Sequence, residues 1–118
     1  MSISVGVSST MLRGPQDKTV LNGSTVNFRC TSNGLLDIYW KYAEVAGSSS
    51  VYVFDRRGRN EQLFDERFVK SVIGSTTILT IRNVQTSDEG IYICRESTSG
   101  DQWSAQLTVI GNIIITMF

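Results

Sequence analysis

Cys30 and Cys94 are the only cysteines among the 118 residues, and each lies inside an alternating apolar run, Val26-Phe28-Cys30 and Tyr92-Cys94. Placed in mid-strand in two packed sheets, they suit a disulfide. Closing so long a loop stabilises a fold by roughly 4 kcal/mol in the unfolded-chain entropy picture. Two free buried thiols are the alternative reading. Zinc is disfavoured, because two cysteines and no histidine cannot supply four ligands. No metal or other cofactor is expected. The lack of histidine also removes every Ser-His-Asp or Cys-His arrangement. Asp65-Glu66 and Asp88-Glu89 are adjacent carboxylates, which point to opposite sides of a strand rather than at one substrate. No glycine-rich loop leads from a strand into a helix to cradle phosphate. The expectation is a chain without enzymatic activity.

The elements that must hold the cysteines read as strands, separated by polar or glycine-containing breaks, with no helical apolar stripe. Lys18-Leu21 leads into a turn at Asn22-Gly23, and Ser24-Cys30 alternates cleanly. After a loop from Thr31 to Asp37 come Ile38-Tyr42, a Gly47-Ser50 turn and Val51-Phe54. Asp55-Asn60 is a charged turn; 67–73 and 76–81 form a hairpin around Gly74-Ser75; the last strands run from Gly90 to Arg95 and up to Val109. Trp40 sits in the strand after Cys30, where its ring can cover the sulfurs. Pro15 is the only proline and suits a kinked edge strand.

Length and an apolar fraction of 41% fit one domain with one core. Eleven basic residues balance eleven acidic ones, so neither a nucleic-acid-binding field nor a polybasic membrane patch exists. A disulfide implies an oxidising compartment, extracellular or at the cell surface. Met1-Val5 lacks a signal-peptide pattern, and Met1 is expected to stand in place of a removed leader. No run approaches the ~20 apolar residues of a membrane span, although the parent protein is allowed a membrane anchor. Asn22-Gly23-Ser24 is a glycosylation sequon expected to be exposed.

Cys30, Trp40, Leu79-Thr80-Ile81, Asp88-Glu89-Gly90-Ile91-Tyr92-Ile93-Cys94 and Leu107-Thr108-Val109 together resemble an immunoglobulin-superfamily domain of the variable (V-set) type. The resemblance covers roughly 12–110 and leaves 111–118 as a C-terminal β extension or linker. It implies an all-β fold, a two-sheet antiparallel Greek-key sandwich with one inter-sheet disulfide. It further implies that Tyr92 forms a tyrosine corner and that Arg67 pairs with Asp88 across the bottom of the sandwich. The long interval between the cysteines leaves room for the extra strands of the variable type. Gly14-Leu21 looks more like intermediate-type adhesion domains. Rearranging antigen receptors carry an aromatic-Gly-any-Gly motif entering the last strand. This chain has Asp101-Gln102-Trp103-Ser104-Ala105 there, which puts the usual bulge in doubt. A non-rearranging immune-type receptor or an adhesion protein fits better.

Alternation then assigns the faces. With Ile38, Trp40 and Tyr42 inward, Tyr39 and Lys41 point out; with Tyr92 and Cys94 inward, Ile91, Ile93 and Arg95 point out. Val51 and Val53 inward would place Tyr52 and Phe54 outside. Tyr39, Lys41, Tyr52, Phe54, Ile93 and Arg95 thus form an expected binding face, of the composition found at interface cores. Trp103 joins it if a bulge is present and points inward with Leu107 if not. The end loops are a second surface: Leu35 and Leu36 in the first, Arg56 and Arg57 with Arg59 in the second, Ser99 and Asp101 in the last. The arginines are a solvated turn or a site for an acidic or sulfated partner.

The main expectation is an extracellular recognition module that binds a protein or glycan, alone or as a homodimer, and no nucleic acid. A homophilic adhesion or assembly domain and a structural spacer are the alternatives. The run Ile113-Ile114-Ile115-Thr116-Met117-Phe118 is an uncharged edge-pairing risk, read as an ordered β extension.

Overall fold

The computed structural model describes residues 11–33 and 37–111, with Met11 and Leu12 by backbone only; Leu35, Leu36 and the run 113–118 lie outside the described residues. Among the described residues the structure is built from strands and one short 3-10 turn, Thr86–Asp88. The strands are β1 (Met11–Arg13), β2 (Lys18–Leu21), β3 (Val26–Ser32), β4 (Ile38–Ala43), β5 (Ser50–Asp55), β6 (Gly58–Arg59), β7 (Phe68–Ile73), β8 (Thr76–Ile81), β9 (Gly90–Glu96) and β10 (Gln102–Ile110).

Strict alternation makes β3 and β9 the two walls of the core. Val26, Phe28 and Cys30 are buried while Asn27 and Arg29 are exposed; Tyr92 and Cys94 are buried while Ile91, Ile93 and Arg95 are half-buried. A period of two is what a strand with one face on a core requires. β3 lies in the sheet ordered β1-β3-β8-β7, β9 in the sheet ordered β2-β10-β9-β4-β5-β6. The Cys30–Cys94 disulfide joins these sheets, its Cα atoms 6.5 Å apart and its ends 64 positions apart in sequence. Trp40 pairs with Cys94 in the ladder and is fully buried. Phe28 stacks on Tyr92 at 5.3 Å between ring centres, which closes the core from the other sheet.

The first segment divides between the sheets. β1 pairs with the far end of β3, the chain crosses at residues 14–17, and β2 then runs parallel to β10. Gly14 permits this crossing: a Cβ there would collide with the Trp103 ring. The crossing is fastened by Asp17, whose Oδ1 accepts a hydrogen bond from Gln106 N at 2.8 Å. Between β5 and β7 the only added strand is the two-residue β6; Phe64 in the following turn packs into the core.

Candidate recognition face and end loops

The outer surface of the larger sheet gathers most of the expected binding face. The ladder sets Lys41 beside Ile93 on one side and Tyr52 on the other, and Tyr39 beside Arg95. The Tyr39 and Tyr52 rings meet edge to face with centres 5.8 Å apart, and Lys41 Nζ lies 5.3 Å from the Tyr52 ring centre. An aromatic pair with a cation over one ring is held by quadrupole electrostatics, each contact worth about 1 kcal/mol or less where water reaches it. All six side chains Tyr39, Lys41, Tyr52, Ile91, Ile93 and Arg95 are half-buried, so they shield one another instead of forming a bare apolar sheet. Beside them the β4–β5 turn curls up to leave a hollow of about 300 Å³, bordered by Val45, Ile91, Ile93, Gln102 and Ser104. Val45 stands exposed on its rim.

Two residues expected on this face are placed elsewhere. Phe54 is 7% exposed and belongs to the core, because a bulge separates the pairs Trp40–Phe54 and Lys41–Tyr52. The extra residue, Val53, turns inward as well, so Val53 and Phe54 both face the core. Val51 stands opposite Tyr42, whose ring packs on Phe64 and Tyr92, and so keeps the side expected of it, although it is 40% exposed. Trp103 is the second correction. Pairing runs without a shift from Gln102–Arg95 to Leu107–Gly90, so no bulge is present. Trp103 therefore keeps the parity of Ala105 and Leu107, faces the inner side with Cys94, and lies against Gly14. Its position near the sheet edge leaves it 39% exposed.

The loops are more constrained than their composition suggests. In the β9–β10 connection Ser99 Oγ accepts from Asp101 N at 3.1 Å, Glu96 N donates to Asp101 O at 2.8 Å, and Gly100 N donates to Glu96 O at 3.0 Å. Ser97 N donates to Asp37 O, tying this loop to the first one. At the β5–β6 turn Arg56 and Arg57 are exposed, whereas Arg59 is half-buried and donates to Phe68 O at 3.4 Å. Only two of the three arginines are thus presented to solvent. Asn22 is half-buried, not fully exposed, with its Oδ1 enclosed and its backbone N donating to Ile110 O.

At the opposite end, polar groups are saturated. Arg67 Nη1 and Nη2 donate to the two carboxylate oxygens of Asp88 at 2.7 and 3.0 Å, and Nη1 also donates to Asn83 O at 3.0 Å. Gln85 N donates to the same carboxylate, and the buried Tyr92 hydroxyl donates to Asp88 O at 2.6 Å. The hydrogen bond to Asp88 holds the Arg67 guanidinium above its usual range. Burial pushes the Tyr92 phenol up, and the Asp88 charge adds to it. The backbone N–H of Arg67 lowers the Asp65 carboxyl. Glu89 accepts from Val109 N at 2.9 Å. Of the two adjacent carboxylate pairs, Asp65, Asp88 and Glu89 are engaged in structural hydrogen bonds, and among the described residues no group of three metal-ligating side chains occurs.

Two ionisable side chains, Glu96 and the half-buried Lys70, escaped the residue-by-residue reading. Glu96 is fully buried, and neither carboxylate oxygen has a hydrogen-bond partner. Its parity with Cys94 was the available signal. Lys70 reaches across from the other sheet to donate to Ile38 O at 2.7 Å, and burial lowers its ammonium below the usual value.

The family description "Immunoglobulin V-set domain" matches residues 13–110. Solved structures with the same architecture share little sequence. The titin M10–obscurin-like 1 Ig complex contains a chain 19% identical, with a TM-score of 0.66, covering 90% of this chain and 97% of that one. Titin domain M7 is 22% identical, with a TM-score of 0.64 over 86% of this chain and 93% of that one. The twitchin kinase region from C. elegans is 19% identical, with a TM-score of 0.64 over 86% of this chain and 16% of that one. At such identities the likeness concerns the fold.

Proposed function

The chain belongs to the immunoglobulin V-set family, and from that premise we propose that it is an extracellular or cell-surface recognition module that binds a protein partner through the β4–β5–β9–β10 face. The observation that carries this reading is the Tyr39–Tyr52–Lys41 cluster set beside Ile93 and the adjoining hollow. Aromatic anchors, a cation and a concavity make the central composition of an interface, with polar Gln102 and Ser104 as its rim. Protein partners have a parallel among the structural neighbours, one of which is the titin M10–obscurin-like 1 complex. The disulfide supports an oxidising compartment. The chain's part in this is recognition, not catalysis: its perturbed side chains hold structure.

The face is tested with Ile93→Asp and Lys41→Glu. Tetramerised wild-type protein applied to an array of purified ectodomains is expected to bind one or more of them, and each variant to lose that binding while remaining folded, with stability changed by about 1 kcal/mol or less. Undiminished binding by both variants would move the site off this face. Sedimentation across a range of concentrations separates self-association from a foreign partner: a dimer that Ile93→Asp dissolves makes the partner a second copy. Unreduced mass measurement of secreted protein should show loss of the two thiol hydrogens. Free thiols there would overturn the compartment.

A further inference from the structure

The side of the sandwich away from this face holds a groove of about 520 Å³, lined by Arg13, Gln16, Lys18, Thr25, Asn27 and Arg29 among others. It opens where the chain crosses between the sheets. β1 covers only Thr31 and Ser32 of β3, so along Val26–Arg29 the flank of β3 away from β8 has no strand partner among the described residues. β2, on the opposite bank, is the edge strand of its own sheet. The groove therefore runs between two open strand edges, one from each sheet.

Its charge is one-sided. Arg13, Lys18 and Arg29 form no ion pair or side-chain hydrogen bond among the described residues. Among the described residues no carboxylate lines the groove. Asp17, the carboxylate adjacent in sequence to Lys18, is occupied by the Gln106 backbone. The whole chain has a formal net charge of zero, so this positive strip is a local arrangement and not a reflection of bulk charge.

We infer that this groove is a second binding site, which takes an extended acidic segment of a partner protein as an added strand on the free edge of β3. The open edge presents alternating N–H and C=O groups, which a peptide backbone complements in full. Val26 to Arg29 offers about 10 Å of edge at ~3.3 Å per residue. Acidic side chains on the added strand would meet Arg13 and Arg29 on one bank and Lys18 on the other. The same cations repel a second basic edge, which selects against self-pairing. Among the described residues no aromatic ring lines the groove, so a sugar ring would find no stacking platform there.

The probe is a blocked, fluorescent octapeptide of alternating Glu and Val, followed by anisotropy on the intact protein. Binding is expected to weaken by about tenfold or more with Arg29→Glu plus Lys18→Glu, as loss of steering and contact charge predicts. N-methylation of alternate peptide amides should weaken it comparably, and amide exchange at Val26–Arg29 should slow only with the unmethylated peptide. Both substituted positions are solvent-facing or half-buried, and equal melting temperatures would show that the variant folds. Failure of the peptide to bind, binding that ignores the charge reversal, or equal binding of the N-methylated peptide would each overturn the strand-addition site. So would a sulfated oligosaccharide that binds the groove when the peptide does not. Ile93→Asp leaves this assay unchanged if the two sites are separate.

Discussion

The bottom corner and the recognition face of this sandwich solve opposite problems. In the corner, Arg67, Asp88, Gln85 and Tyr92 leave no hydrogen-bonding option open: each carboxylate oxygen of Asp88 is donated to, and its carbonyl accepts from a buried phenol. On the face, Tyr39, Tyr52, Lys41 and Ile93 touch through rings and ladders, and among the described residues their own side chains make no hydrogen bond. A buried polar group without a partner costs about 1–3 kcal/mol, so the corner tolerates no substitution that strands one. Half-buried rings and aliphatic chains have no such penalty and can be exchanged. The fold is closed where saturation is complete, and the chemistry left over for partners lies where it is not.

This contrast can be broken in order of size. Asp88→Ala should have the largest effect, about 3–5 kcal/mol by urea unfolding, because it leaves the Arg67 guanidinium and the Gln85 backbone N–H without their acceptor. A loss below about 1 kcal/mol would mean that the corner is not the closure it resembles. Tyr92→Phe should cost about 1–2 kcal/mol, one buried hydrogen bond and little packing. It should also change the pH profile. The phenol of Tyr92 is raised above its ordinary value of 10.0, as is that of Tyr42. Unfolded tyrosine therefore loses its proton first, the folded chain binds more protons above pH 10.0, and stability falls as the pH climbs from there. Melting temperatures measured from neutral pH to about pH 11 should fall less steeply in Tyr92→Phe.

On the face, Ile93→Asp and Tyr52→Ala should each change stability by about 1 kcal/mol or less while removing partner binding. Reversal of that order, with face variants unfolding the chain and corner variants spared, would erase the distinction. The smallest effect belongs to Arg56→Glu with Arg57→Glu, at the exposed β5–β6 turn: no measurable change in melting temperature, and a flatter salt dependence of any acidic partner's binding.

Parity made the core readable. Val26, Phe28, Cys30, Trp40, Tyr92 and Cys94 all occupy the side that alternation gives them, and the ladders β3–β8 and β4–β9 that hold them are regular. Parity fails where the partner strand, not the sequence, decides the count. The bulge opposite Trp40 and Lys41 exists only in the pairing of β4 with β5, and it turns Phe54 inward. Trp103 was open in the sequence, since its side depended on a bulge, and the unshifted pairing with β9 decides it; its contact, Gly14, lies far away in sequence, and only the fold brings them together. The hollow beside Val45 and the groove beside Arg29 depend on where strands stop, which composition does not encode.

The parallel pairing of β2 with β10 has a mechanical consequence. The described chain enters at Met11, beside the Ser32 end of β3, and leaves beyond Ile110 at the end of β10, so its two exits lie at opposite poles. Tension applied between those exits slides β2 along β10 in shear and strains the pairs Lys18–Leu107, Thr19–Thr108, Val20–Val109 and Leu21–Ile110 together. A ladder peeled from one end breaks a rung at a time; this one must rupture along its length, so pulling from the poles meets a higher barrier than pulling the β7–β8 hairpin apart at its open end.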